Sequence, residues 1–423
     1  MKIFKLSFLV VFFAATLFPF SNASAQYTRD SLTMAPGYAN DLFYSLADGL
    51  VAEQPRDNWD IAFFTPRFSA GIMVNEGSGV NLFTYPKGDT SAWATMDTVG
   101  LSTWPVMHNS STNWEDGAFN ANQTGHPDYG WGIYNMVTHN LTGDSLYVIV
   151  FPDMTSKKLW IMKKLSADNL YFFKYANLDG SDEQSVEFNV VPYETKRFAY
   201  YSLQNNTELD REPEFTTWDL LFTKFIDLVP DNEGNMVPYL VTGAASNFET
   251  MANHFYPVAD DFTEWAAEAF VSDKNVVGAN WKYFDMGTFS FQMVDSTCYF
   301  VKSHTGDVYK IAFVYWGGSS NGNFALDKMV VSLSSIADIN TENTVVSMYP
   351  VPATHQLTVH ATDIKGDAQF SIYDLNGRVV FEEQVSGQSL VSGATFQFDL
   401  TAGMYVTKIS YNNTVHTQKL MIR

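Results

Sequence analysis

From Tyr38 onward, short apolar runs alternate with clusters of Gly, Asn, Asp and Pro, the pattern of short β-strands joined by turns. One run, Trp59-Asp60-Ile61-Ala62-Phe63-Phe64, returns as Trp218-Asp219-Leu220-Leu221-Phe222-Thr223. Its surroundings return with it. Tyr44-Ser45-Leu46 matches Tyr201-Ser202-Leu203, and Asn75-Glu76-Gly77 matches Asn232-Glu233-Gly234. Further on, Trp131-Gly132-Ile133-Tyr134 matches Trp281-Lys282-Tyr283-Phe284, and Lys158-Leu159-Trp160-Ile161 matches Lys310-Ile311-Ala312-Phe313. Within each copy large apolar residues alternate with other types, as in a half-buried strand. A repeat of this length implies a duplicated supersecondary unit.

These matches divide the chain into a signal peptide (1–25), a lead-in (26–37), repeat unit one (38–195), repeat unit two (196–333), a linker (334–344) and a tail (345–423). The lead-in reads as irregular, with a turn at Pro36-Gly37. Residues 86–130, rich in Asn, Ser, Thr and Trp, read as a surface excursion; Trp93, Trp104, Trp114 and Trp131 could stack on sugars, but most read as packing this irregular loop. A single helix is expected, Asp260 to Phe270, with Phe262, Trp265, Ala266 and Ala269 on one face. Strands crossing between the units would fuse them into one large body. In the tail, Gln369–Leu375, the turn Asn376-Gly377 and Arg378–Phe381 spell a hairpin, and Ala394, Phe396, Phe398 and Leu400 mark another strand. The fold class is therefore all-β: a duplicated antiparallel body followed by a small β-sandwich.

The first 25 residues change the address. Lys2 and Lys5 precede an apolar run from Leu6 to Phe18, and Ala23-Ser24-Ala25 offers a cleavage site. No later apolar run is long enough for a transmembrane segment. No cysteine follows the cleavage site, so a lipid anchor there is not expected, and the single cysteine, Cys298, rules out an intramolecular disulfide and reads as a small core residue. The net charge of −21 repels a phosphate backbone and argues against nucleic acid as a partner.

The tail resembles the type A sorting domain of the type IX secretion system of Bacteroidetes. The residues that carry the likeness are Tyr349-Pro350-Val351-Pro352-Ala353, Ile372–Gly377, Leu400-Thr401-Ala402-Gly403-Met404-Tyr405-Val406 and Lys419-Leu420-Met421-Ile422; Val351 stands where the family usually has Asn. The resemblance implies that the type IX machinery recognises residues 345–423, that the protein is secreted or held at the cell surface, and that cleavage is followed by attachment to surface polysaccharide. The body resembles the HmuY family of haem-binding proteins through Trp218–Lys224, Val241-Thr242-Gly243, Trp281-Lys282, Tyr299 and Tyr309-Lys310-Ile311. That likeness implies a non-enzymatic binding protein with haem or another porphyrin as ligand. A structural or adhesive surface module, binding glycan or protein without a cofactor, is the alternative.

Candidate chemistry is sparse. Haem iron takes axial His or Met ligands, and the body offers His108, His126, His139, His254 and His304. His254 and His304 are the pair best placed in unit two, and Met136 and Met286 occupy matching positions in the repeats. Asp60 and Asp219, one in each repeat, read as residues that bond backbone at a turn. The acidic clusters 227–231 and 179–183 read as solvated hairpin tips, without the spacing of a calcium loop. No HExxH, Gly-x-Ser-x-Gly or phosphate-binding Gly-Lys-Ser/Thr motif occurs, so no catalytic residues and no metal ligands are assigned.

Overall fold

The computed structural model describes residues 27–332 and 346–423, except 352, 362, 363, 365, 375, 376, 412 and 413. The expected signal peptide and linker lie outside the described residues. The chain divides into two compact units, Met1–Ser332 and Leu333–Arg423, and both are built of antiparallel β-sheets.

The large unit opens with β1 (Thr28–Thr33), β2 (Asn40–Ser45) and β3 (Gly49–Pro55). Short strands follow: β4 (Ile61–Phe64), β5 (Ile72–Val74), β6 (Asn81–Thr84), β7 (Gly132–Tyr134), β8 (Leu141–Gly143) and β9 (Tyr147–Val150). Then come β10 (Ser156–Leu165), β11 (Leu170–Asn177), β12 (Gln184–Asn189), β13 (Phe198–Ser202) and β14 (Thr207–Leu209). From β4 onward these strands form a four-stranded sheet, β14-β13-β4-β5, and a seven-stranded sheet in which β9 and β6 extend the order β12-β11-β10-β8-β7. Ile61, Phe63 and Ile72 from the first sheet pack on Tyr171, Phe173 and Phe188 from the second. Burying such side chains contributes roughly 1.5–3 kcal/mol each.

The rest of the unit is β15 (Leu220–Pro230), β16 (Met236–Ser246), β17 (Met251–Phe255), β18 (Lys282–Asp285), β19 (Ser290–Met293), β20 (Cys298–Lys302), β21 (Val308–Trp316) and β22 (Asn323–Ser332). Its sheets are completed from the N-terminus, in the orders β16-β15-β2-β3 and β1-β22-β21-β20-β17. Leu42 and Tyr44 of β2 are fully buried in this second core beside Leu220, Phe222, Val301 and Ile311. The sheets therefore do not divide at 195/196. β13 pairs back onto β4, with Tyr201 opposite Ile61, while β2 crosses forward onto β15, with Tyr44 opposite Leu220. Each repeated Trp-Asp strand meets a Tyr-Ser-Leu strand in the same register, but not the one the repeat order suggests.

Three local expectations are corrected. The lead-in is not irregular: β1 pairs with β22 along its length, Thr28 opposite Lys328 and Thr33 opposite Asn323. Charge holds it there, through a two-pronged Arg29–Asp327 pair at 2.7 and 2.8 Å and Lys328–Asp30 at 2.9 Å, so apolar periodicity gave little sign of it. Asp260–Phe270 is a loop with one 3₁₀ turn, Trp265–Ala267. The Asn253 side chain donates to the carbonyls of Trp265 and Glu268, while Phe262, Trp265 and Phe270 pack against Phe255 and Phe300. Finally, the structural partner of Asn75 is Asn247 and not Asn232. Asn75 N–H donates to Asp60 O, and its amide to Arg56 O and Trp59 O; Asn247 does the same to Asp219 O, Phe215 O and Trp218 O, all within 2.7–3.0 Å. The hairpin β15–β16 outgrows β4–β5, 11 residues against 4 in the first strand, and carries Asn232-Glu233-Gly234 out to its tip.

The tail has one sheet of β23 (Val346–Tyr349), β24 (Gln356–Ala361) and β27 (Ala394–Gln397), and another in the order β26 (Val379–Ser386), β25 (Asp367–Tyr373), β28 (Gly403–Tyr411), β29 (Thr414–Ile422). Leu357, Val359, Phe370, Ile372, Phe396, Ile409 and Leu420 form its core, a small β-sandwich as expected. The expected hairpin is β25–β26, with Ile372 opposite Phe381; Gly377 takes the positive φ of 78° that its turn requires.

Candidate functional site

The four-stranded sheets of the two sandwiches each have a second, aromatic face. On one lie Trp59, Ala62, Phe64, Phe198 and Tyr200; on the other lie Phe43, Trp218 and Leu221, and Trp114 packs against both. Trp114 comes from the 86–130 excursion and donates its indole N–H to Ser246 O at 2.8 Å, while Lys274 N–H donates to Thr112 O at 2.7 Å. The excursion is thus threaded between the sheets, and the tryptophans in and beside it pack as expected: Trp93 and Trp131 are buried, Trp104 and Trp114 half-buried.

Charged residues fill the gaps in this seam. Asp41, on β2, takes Arg56 Nε at 3.2 Å, Arg211 Nη2 at 2.9 Å and the Thr223 hydroxyl at 2.6 Å. All three charged groups are buried, so each depends on its partners; removing one would leave an uncompensated charge. Next to them Glu212 accepts Arg197 N–H, Phe198 N–H and the Tyr200 hydroxyl at 2.9–3.2 Å. Burial pushes its carboxyl up to about 7, against the pull of those donors and of Arg211. Gly77 belongs here because a Cβ would stand 2.3 Å from Lys224 O.

The seam leaves a narrow cleft of about 60 Å³. Trp59, Trp114, Phe198 and Tyr200 form its apolar walls; Asp41, Glu76, Arg211, Lys224 and Lys274 supply charge. Glu76 is already engaged, accepting Asn109 N–H and Ile226 N–H. Lys274 is 3 % exposed, and its ammonium sits 4.6 Å over the Trp114 ring with no hydrogen-bond or ion-pair partner among the described residues. Burial pushes it down to about 8, although Glu76 and Asp227 favour the charged form. Trp59 Nε1 and Arg211 Nε are also buried without an acceptor. Aromatic walls with a few convergent unpaired donors are the usual constitution of a small-molecule site.

The residues singled out in the sequence lie elsewhere. His254, on β17, stacks on Tyr299 at 4.6 Å and meets the Thr297 hydroxyl at 2.8 Å; burial lowers its pKa. His304, in the β20–β21 turn, places Nδ1 3.3 Å from Asp219 Oδ1 at the edge of a second cleft lined by Ser45, Thr217 and Tyr309. Met251 faces Lys302 and His254 faces Tyr299, so the two histidines occupy opposite ends of this ladder and do not converge. Met136 and Met286 are both exposed, with Met136 Sδ 3.0 Å from His126 Nε2. Asp60 and Asp219 do bond backbone at turns: Asp60 accepts Gln204 N–H at 3.1 Å and Asp219 accepts Leu46 N–H at 2.8 Å. Asp227 is no solvated tip residue; it is buried and bonded to Asn275 at 2.9 Å. Among the described residues, no group of three or more His, Cys, Asp or Glu is placed to hold a metal ion. The seam residues escaped sequence reasoning, although Arg56-Asp57 and Arg211-Glu212, adjacent opposite charges shortly before each Trp-Asp copy, were a visible signal.

No curated protein matches the chain. Residues 347–423 match the family model of the secretion system C-terminal sorting domain, in agreement with the tail's architecture. No helix among the described residues is long and apolar enough to cross a membrane. The chain carries a type IX sorting domain and is a protein secreted by that route to the cell surface or the extracellular space.

Proposed function

We propose that the body delivered by this sorting domain is a non-enzymatic binding protein whose ligand enters the cleft between the two sandwiches. The observation that carries this reading is an aromatic-walled space with the unpaired Lys274 ammonium over Trp114, lined also by Trp59 and Arg211, whose Nε1 and Nε are buried without an acceptor. A buried donor without an acceptor costs on the order of 1–3 kcal/mol, so such groups are sustained where a ligand or ordered water completes them. The cleft takes a small ligand, or the end of a larger one, with an apolar or sugar face for the rings. Attachment of the mature protein to surface polysaccharide belongs to the same reading and follows from the sorting-domain likeness.

Haem, suggested by the HmuY likeness, is the second reading; His126 and Met136, neighbours on an exposed loop, are of the right ligand types, but their 3.0 Å contact would have to open for iron to enter between them. A thermal-shift screen of the exported chain against neutral sugars, sugar acids, small carboxylates and haemin separates the two, since a ligand of the folded state raises Tm. The cleft reading expects a rise that is reduced in Trp59→Phe and unchanged in His126→Ala. A haemin Soret band lost in His126→Ala or Met136→Ala, with no response from the other ligands, would move the site to the loop.

A further inference from the structure

We infer that the cleft ligand carries a single carboxylate, seated against the Lys274 ammonium, with the Arg211 Nε and Trp59 Nε1 donors in the same pocket. The inference rests on the cleft reading and names the ligand class for it. Among the described residues no carboxylate lies within ion-pair distance of the Lys274 ammonium, although Glu76 and Asp227 stand near enough to favour its charged form. Asp41 accepts from Arg56, Arg211 and Thr223, and Glu76 accepts two backbone N–H groups, so both carboxylates are already held by other donors. Neither can turn toward Lys274 without abandoning a buried donor. The missing acceptor therefore has to come from outside the chain.

One ammonium without an ion-pair partner suits a monoanion better than a phosphate, which carries closer to two. A carboxylate has two oxygens with about four lone-pair sites, enough to serve an ammonium and further N–H donors together. It is also planar and small, which suits a space of about 60 Å³ between Trp59, Tyr200 and Trp114. Lys274 over the Trp114 ring holds the ammonium within the aromatic wall, so the anion meets a desolvated charge, where a charge-assisted bond is strongest.

The test is calorimetric titration of the exported chain with acetate, benzoate and glucuronate, each paired with a neutral counterpart: acetamide, benzamide and glucose. A free small acid as ligand predicts that acetate or benzoate binds as well as glucuronate; a sugar acid predicts that glucuronate binds best. In either case the carboxylate should bind at least about tenfold more tightly than its neutral partner, and Lys274→Met should remove that advantage. Lys274→Met replaces an unpaired buried ammonium by an apolar chain of similar length and should fold at least as stably as the parent; Lys274→Gln serves as the second variant. Equal affinity for charged and neutral partners, or a carboxylate preference that survives both substitutions, overturns the inference. If neutral sugars bind and Trp59→Phe weakens them, the cleft reading stands without its anion. Loss of all binding responses to acids and sugars alike sinks both.

Discussion

The two sandwiches of the body are built from the same repeated strands but closed differently. The first is contiguous: β4 near its start meets β13 near its end. The second borrows β1, β2 and β3 from the other end of the chain, across more than 150 residues of intervening sandwich. The caps differ in the same way. Asp60 holds Ser202 and Gln204, which lie on the strand and turn that close its own sandwich; Asp219 holds Leu46, contributed by the N-terminus, and His304. Duplication preserved the geometry of the Trp-Asp joint while changing which segment completes it. The consequence is that the second sandwich cannot be finished until its first strands and last strands are brought together, a closure of high contact order.

The largest effect should come from cutting that closure. Deleting residues 27–58 removes Leu42, Tyr44 and Leu46 from the second core, with two strands of one of its sheets and one of the other. Hydrogen exchange should then show β15–β22 unprotected while β10–β13 retain slow exchange. Protection persisting in both sandwiches would mean that the borrowed strands are accessory.

Next in size are the two caps. Asp60→Ala abandons three donors, from Ser202 and Gln204, and Asp219→Ala abandons Leu46 N–H and His304. Each should cost about 2–4 kcal/mol in denaturant unfolding, since buried donors left unpaired cost on the order of 1–3 kcal/mol apiece and do not add fully. Asp219→Ala should chiefly loosen the second sandwich and Asp60→Ala the first. Identical exchange patterns from the two substitutions would show that the seam locks the sandwiches into one cooperative unit and that the comparison is only geometric.

Much of this was legible in the chain, and the part that was not has physical causes. Trp59-Asp60 and Trp218-Asp219 are visible because the repeat makes their large apolar residues conspicuous; the strands they open are buried on both faces there, not half-buried as the alternation suggests. Partner choice was hidden, because Tyr44-Ser45-Leu46 and Tyr201-Ser202-Leu203 present nearly the same residues to either Trp-Asp strand. The strand β1 was hidden because charged pairs hold it and no apolar stripe marks it. The site was hidden most of all. Its donors, Lys274, Arg211 and Trp59, are far apart in sequence, and each reads alone as an ordinary surface cation or core ring.

A smaller effect should appear in the pH dependence of the seam. Burial raises Glu212 from an ordinary carboxyl value to about 7, so the folded state holds its proton more tightly than the unfolded chain. The stability due to this group is therefore complete in acid and is lost as pH rises from about 4.5 to 7. Glu212→Gln should flatten that part of a plot of unfolding free energy against pH, whatever its effect on the absolute value. A slope unchanged by the substitution would assign the titration to another group.

The smallest effect concerns His304, where the two sandwiches solve one problem with different residues. Asp60 Oδ1 is satisfied by the amide of Gln204 at 3.0 Å; Ala47 stands at the matching place in the other copy, and His304 Nδ1 reaches Asp219 Oδ1 from a different turn, at 3.3 Å. If His304 only replaces an amide donor, His304→Gln should change stability by less than about 1 kcal/mol, whereas His304→Ala should cost roughly 1–2 kcal/mol by leaving Asp219 short of one donor. The double variant Ala47→Gln with His304→Ala should then recover most of that loss by rebuilding the first sandwich's solution in the second. Failure of the rescue, with Asp219 still folded in place, would show that the imidazole contributes something an amide cannot, and His304 would then belong to the cleft it borders with Ser45, Thr217 and Tyr309 more than to the joint.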